Sequence, residues 1–215
     1  MKNMKICKNI VLIVLAVLCA EFAFAGGFTK VPDVKLLEKK VLEYSKKVGT
    51  IKSDFIQIKH LEALEVTVES KGKFWFKKEN FLRWEYIEPY KYVIAIKNGT
   101  FTINDGKKTS SYDTESNKVF KEINNLIISS VRGNLLMDGN FAVEAFESET
   151  QYKVKLVPKI AQMKEVLSQI EMYFEKSDMS VSKVKMIEDE DNYTEIKFTN
   201  RKFNEDIPTE TFTVK

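Results

Sequence analysis

Hydrophobic and polar residues alternate most regularly between Gly72 and Tyr90, where two runs of period two flank a short polar segment. Phe74 and Phe76 alternate with Lys73, Trp75 and Lys77. Beyond Lys78-Glu79-Asn80, Leu82, Trp84 and Tyr86 alternate with Arg83 and Glu85. A period of two sends alternate residues to opposite faces of a strand, and Glu79-Asn80 carries turn chemistry. The stretch predicts an antiparallel hairpin with one wide aromatic face. A packed core accounts for such a face, and so does the wall of a hydrophobic cavity.

The same period runs through most of the chain after Ile51. Predicted strands cover 51–60, 64–77, 81–87, 91–97, 100–104 and 109–112, then 141–147, 152–157, 168–174, 181–187, 193–198 and 211–214. Asn98-Gly99 and Asp105-Gly106 are the clearest hairpin signals, because both dipeptides tolerate positive φ. Tyr90, Tyr92, Ile94 and Ile96 make a further apolar face opposite Lys91, Val93, Ala95 and Lys97.

Two segments break the strand pattern. Val34, Leu37, Val41, Tyr44 and Val48 recur at helical spacing behind a candidate N-cap, Asp33, with Lys46, Lys47 and Gly49 suiting the C-terminal end. Ile123, Leu126, Ile127, Ser130 and Val131 are spaced for a second helix, and Leu135-Leu136-Met137 forms an apolar patch after it. Short apolar helices between β segments suit a cover over one sheet face. A sheet of about eleven or twelve antiparallel strands curls strongly or closes on itself. The expected fold is mainly β (α+β): a single unclosed antiparallel β-barrel with an N-terminal amphipathic helix and short lid helices over a hydrophobic cavity.

Residues 1–25 read differently from the rest. Lys2, Lys5 and Lys8 precede an apolar run from Ile10 to Ala20, and Ala23-Phe24-Ala25 supplies the small residues of a cleavage site. That run is shorter than the ~20 residues needed to span a bilayer. We expect a signal peptide over 1–25 and one domain over 26–215. Lipidation at Cys19 competes with this reading, but Leu18 is bulky where a small residue is wanted. Of 34 basic and 31 acidic residues, three and one fall in the leader, so 31 and 30 remain, a net charge of +1. The near-neutral balance and the export signal argue against a nucleic-acid platform built from Arg83, Trp84, Tyr86 and the neighbouring lysines. Both cysteines, Cys7 and Cys19, lie in the leader, so disulfide, thiolate and Cys-metal chemistry are not expected after it.

Catalytic patterns are sparse. His60 is the only histidine, and no GxSxG, HExxH or phosphate-binding loop occurs. The acidic run Glu188-Asp189-Glu190-Asp191-Asn192 lacks the spaced ligands and glycine of a calcium loop and reads as a solvated turn. Paired carboxylates of a hydrolase are not singled out by any spacing. We expect no enzyme activity, no metal site and no cofactor.

The residues from Leu36 to Tyr112 resemble the outer-membrane lipoprotein carrier protein (LolA) family. The resemblance rests on Phe55-Ile56-Gln57, on Gly72-Lys73-Phe74-Trp75-Phe76-Lys77, on Leu82-Arg83-Trp84 with Glu85-Tyr86 and Pro89, and on Asn98-Gly99. It implies an unclosed barrel lidded by short helices. It also implies a monomeric periplasmic carrier that takes an acylated lipoprotein from an inner-membrane transporter to an outer-membrane receptor. On this reading Phe74, Phe76, Leu82, Trp84, Tyr86, Tyr92 and Ile94 line the cavity, with Leu82 near its mouth. Leu126, Ile127, Val131, Leu135 and Met137 belong to the lid. Family members commonly carry Arg-Pro in the turn, where the arginine helps hold the lid. Lys78-Glu79 stands there in this chain, and lysine keeps the charge without the planar fork. Glycolipid carriage and envelope sensing on the same half-barrel remain alternatives.

Overall fold

A computed structural model describes residues 27–78, 80–114 and 134–214. Asp33 caps the first helix, α1 (Val34–Lys47), by accepting the Leu36 N–H at 3.0 Å, and Lys46 and Lys47 fill its last turn. Leu37 and Val41 are its buried stripe. The rest is one antiparallel sheet. Its first half is a meander of β2 (Thr50–Leu61), β3 (Val66–Lys77), β4 (Phe81–Glu88), β5 (Tyr92–Lys97), β6 (Thr100–Asn104) and β7 (Thr109–Asp113). A short 3-10 turn at Asn134–Met137 precedes the second meander: β8 (Phe141–Glu147), β9 (Gln151–Pro158), β10 (Gln169–Glu175), β11 (Val181–Ile187) and β12 (Tyr193–Phe203). A four-residue helix, α2 (Ala161–Lys164), lies between β9 and β10. The two-residue β1 (Thr29–Lys30) pairs with β8.

Strand order is β1-β8-β9-β10-β11-β12-β2-β3-β4-β5-β6-β7. Each strand neighbours its sequence neighbour except at two places: β1 beside β8, and β12 beside β2 in the middle of the sheet. β1 and β7 form the two edges and do not pair with each other, so the barrel is unclosed. The predicted hairpin pairs as its alternation requires, with Gly72, Phe74 and Phe76 facing Tyr86, Trp84 and Leu82. Asn98 (φ +51°) and Gly99 (φ +75°) both take positive φ in the two-residue turn between β5 and β6, the backbone such a tight hairpin needs.

Two expectations fail at the ends of elements. β12 runs to Phe203 rather than stopping at Phe198. Residues 211–214, expected as a strand, instead form the end of a 3-10 turn at Thr209–Phe212 and the two residues after it, a segment that lies across the outer face of β3–β5. Those strands already have two partners each, so no ladder is open to the segment. Side chains hold it: Arg83 Nη1 donates to the Thr211 and Thr213 carbonyls at 3.3 Å each, and Lys77 Nζ to the Ile207 carbonyl at 2.8 Å. Phe212 is 1% exposed and packs on Phe81. Arg83 and Lys77, two of the basic residues considered for a nucleic-acid-like surface, thus anchor the C-terminal segment.

Candidate functional site

The concave sheet face and α1 enclose a cavity of about 330 Å³. α1 contributes Val41, Tyr44 and Ser45, with Val48 at its C-cap. β2 adds Ile51, Ser53 and Gln57; β3 to β5 add Phe74, Trp84, Tyr86 and Ile94. The facing wall comes from the other half of the sheet: Met172 and Phe174 of β10, Val184 and Met186 of β11, and Ile196 and Phe198 of β12. The lining is overwhelmingly apolar, and its size lies at the low end of the ~300–1,000 Å³ of small-ligand pockets.

The floor shows why the motif residues stand where they do. Phe55 lies over Gly72, where a Cβ would overlap the Glu85 carbonyl oxygen and stand 2.5 Å from the Phe55 ring. A glycine lets the ring settle onto bare backbone. From there Phe55 meets Trp84 and Tyr86 at centroid distances of 4.9 and 5.2 Å. Two residues on, Gln57 Oε1 accepts the Tyr86 hydroxyl at 2.9 Å. Burial pushes the Tyr86 phenol above its ordinary pKa, so it stays a donor. Phe-x-Gln and the distant glycine are one packing unit. The Trp84 indole N–H is buried and makes no hydrogen bond, although the Tyr86 hydroxyl is close by. An unmade bond of this kind costs about 1–3 kcal/mol.

Of the predicted wall, Phe74, Trp84, Tyr86 and Ile94 border the cavity. Phe76 and Leu82 are fully buried beside Ile96 and Phe101 in the packed end of the same face, so Leu82 has no surface to offer at a mouth. Tyr92 lies beyond the wall, with its ring 6.2 Å from that of Tyr86. Leu126, Ile127 and Val131 lie outside the described residues, as does the predicted helix that holds them. Leu135 is in the 3-10 turn at Asn134–Met137; there Met137 is 48% exposed, while Leu136 between them packs beside Leu37 and Val41. Lys78 reaches α1: its Nζ donates to the Lys46 carbonyl at 2.6 Å, and its backbone N–H to the Gly49 carbonyl at 2.8 Å. An ammonium on the last carbonyls of a helix satisfies orphan acceptors and complements the dipole.

Sequence reasoning missed α1 as a wall and missed the whole β10–β12 side. It also missed a polar corner. Arg201, the one charged residue among the described lining, donates from Nη1 to Ser180 Oγ at 2.7 Å and to the Val181 carbonyl at 3.2 Å. Ser180 Oγ in turn donates to Asp178 Oδ1 at 2.6 Å. Tyr44 stands nearby, its phenol pushed up to about 12 by burial and by Asp178, with Arg201 opposing.

The sequence profile of the family described as outer membrane lipoprotein carrier protein LolA matches residues 46–215. No curated protein matches the chain. Among solved structures, a chain of the Pseudomonas aeruginosa MucA/MucB complex aligns with a TM-score of 0.54 at 9% identity, covering 85% of this chain and 61% of that one. A crystal structure of MucB gives 0.54 at 10% identity, covering 86% and 64%. This chain thus spans less than two thirds of either. An uncharacterized conserved protein from Thermus thermophilus gives 0.51 at 9% identity, covering 81% and 91%. At such identities the likeness is one of fold. The match over residues 46–215, with an unclosed sheet and a helix over an apolar cavity, places the chain in the LolA family of outer membrane lipoprotein carrier proteins.

Proposed function

We propose that the protein is a monomeric periplasmic carrier. After export and removal of residues 1–25, the remaining domain takes an acyl chain of a lipoprotein into the cavity under α1. It receives that cargo from an inner-membrane transporter and yields it to an outer-membrane receptor. The observation that supports this most is the cavity, with apolar walls contributed by both halves of the sheet. Each methylene withdrawn from water gains about 0.8 kcal/mol. A cavity of this size takes part of one chain, so the gain is large enough for capture and incomplete enough for release.

The fold shared with MucB, which is solved in complex with MucA, supports a second reading, a lipid-binding envelope sensor that docks a partner protein. Native mass spectrometry of protein released gently from the periplasm separates the two. Non-covalent adducts with acylated lipoproteins are expected for the carrier. Phospholipid or glycolipid adducts alone would favour the sensor. A clean apo mass that persists after incubation with a synthetic diacyl lipopeptide would overturn the carrier reading.

A further inference from the structure

The polar corner of the cavity is made by an irregularity in β12. Thr194, Ile196 and Phe198 sit opposite Lys59, Gln57 and Phe55 in regular register, and Ile196 and Phe198 line the cavity. The ladder then jumps from Thr199↔Asp54 to Lys202↔Lys52, leaving Asn200 and Arg201 both opposite Ser53. Asn200 takes φ +51° and its Nδ2 donates to Asp54 Oδ2 at 2.7 Å, while Ser53 Oγ donates to the Thr199 carbonyl at 2.8 Å. The bulge reverses the alternation: cavity-lining positions are even before it and odd after it, at Arg201 and Phe203. Without the bulge, Arg201 would point away from the cavity with Lys197. Bulges re-aim side chains in this way beside sites.

A guanidinium delivered into an apolar wall needs a reason, because an unpaired charge there is disfavoured. Among the described residues Arg201 has no carboxylate within ion-pair distance. Only Nη1 is engaged, with Ser180 and Val181, which leaves Nε and Nη2 free. Ser180 spaces Arg201 from Asp178, so the acid orients the guanidinium through a hydroxyl without direct contact. Tyr44 faces the same corner, and its hydroxyl makes no hydrogen bond among the described residues. The corner thus offers a fork of charged donors and a phenol beside an apolar channel.

We propose that Arg201, with Tyr44, binds the oxyanion of an anionic amphiphile whose acyl chain occupies the cavity. This rests on the lipid-binding reading above and narrows it, by giving the ligand a negatively charged head next to a chain. A fatty-acid carboxylate and a phospholipid phosphate share that chemistry, and both match a planar fork.

The test uses the delipidated protein and four probes, measured by calorimetry: dodecanoate and dodecyl phosphate below their micellar concentrations, methyl dodecanoate below its solubility limit, and inorganic phosphate. Wild type should bind at least one charged probe about tenfold more tightly than the ester, the size of one charge-assisted hydrogen bond in a partly wet site. The probe that gains more identifies carboxylate or phosphate as the preferred head. Arg201→Gln, which can still bond Ser180, should erase the preference by bringing the charged probes to the affinity of the ester. Arg201→Lys should restore part of it. Equal binding of charged and neutral probes, or equal weakening of all by Arg201→Gln, would overturn the head-group assignment while leaving the carrier reading standing. Inorganic phosphate binding as tightly as dodecyl phosphate would overturn it too, since the chain would then contribute nothing. Failure of every acyl probe, ester included, would overturn both.

Discussion

Beneath α1, the inner face of β8–β10 is largely aliphatic and compact: Ala145, Val154 and Leu156, with Phe141, pack beside Leu37, each at most 3% exposed. Across the β12–β2 pairing, the inner face of β2–β6 is dominated by Phe55, Phe74, Phe76, Trp84 and Phe101, with Leu82 and Ile96 between them. Branched side chains of modest size interlock with a helix and leave no room. Rings packed edge-on do not. Phe74, Trp84 and Phe198 meet pairwise at 5.3, 5.9 and 6.0 Å with interplanar angles of 61–74°. This stiff arrangement has fixed edges that α1 cannot follow. One half of the sheet supplies stability and the other supplies space, and the cavity lies where they meet.

Truncation in the aliphatic half should have the largest effect. Leu156→Ala removes a side chain with no exposed surface and is expected to cost about 3 kcal/mol in urea unfolding, with lipopeptide uptake per folded molecule unchanged. On the aromatic side the sensitive position is a glycine. Gly72→Ala pushes Phe55 off its seat and crowds the Glu85 carbonyl, so stability should fall by about 2 kcal/mol and uptake should fall with it. Equal uptake would detach the floor from function. Trp84→Phe removes the orphaned N–H while keeping a ring. Stability should hold or rise by up to about 1 kcal/mol, whereas lipopeptide retention weakens. A large loss of stability would make Trp84 ordinary core.

The smallest effect lies at high pH. The Tyr44 phenol is raised from its ordinary value of 10.0 to about 12, so the folded state holds its proton more tightly than the unfolded chain. That contribution is complete below pH 10 and is lost as pH rises towards 12. Tyr173, raised by burial and by Glu171, acts in the same direction. The urea midpoint should decline above pH 10, and Tyr44→Phe should make the decline shallower without abolishing it.

Much of this was legible in the alternation itself. The strands of both meanders, the Asn98-Gly99 turn and the pairing of Phe74 with Trp84 follow from period two and local turn chemistry. So does α1, from spacing and an N-cap. What the alternation cannot carry is a change of parity. The bulge at Asn200 and Arg201 turns an outward position inward, and no residue before it announces the slip. The two-residue β1 is too short to have a period. The C-terminal segment has strand-like residues but lies over β3–β5, whose strands already have both partners. The far wall, with Met172 and Met186, faces Phe74 only through a pairing between distant parts of the chain.

That pairing has a kinetic consequence. β2 and β12 form the central seam of the sheet, and Ser53 bonds Thr199 across 146 residues of sequence. Each meander can zip locally, but closing a loop of this length costs about 4 kcal/mol of chain entropy before any contact repays it. Such topologies fold slowly. The cavity straddles the seam, so it comes into being only with this long-range step. A chain caught before that step would have two half-sheets with bare aromatic and aliphatic faces and no binding site between them.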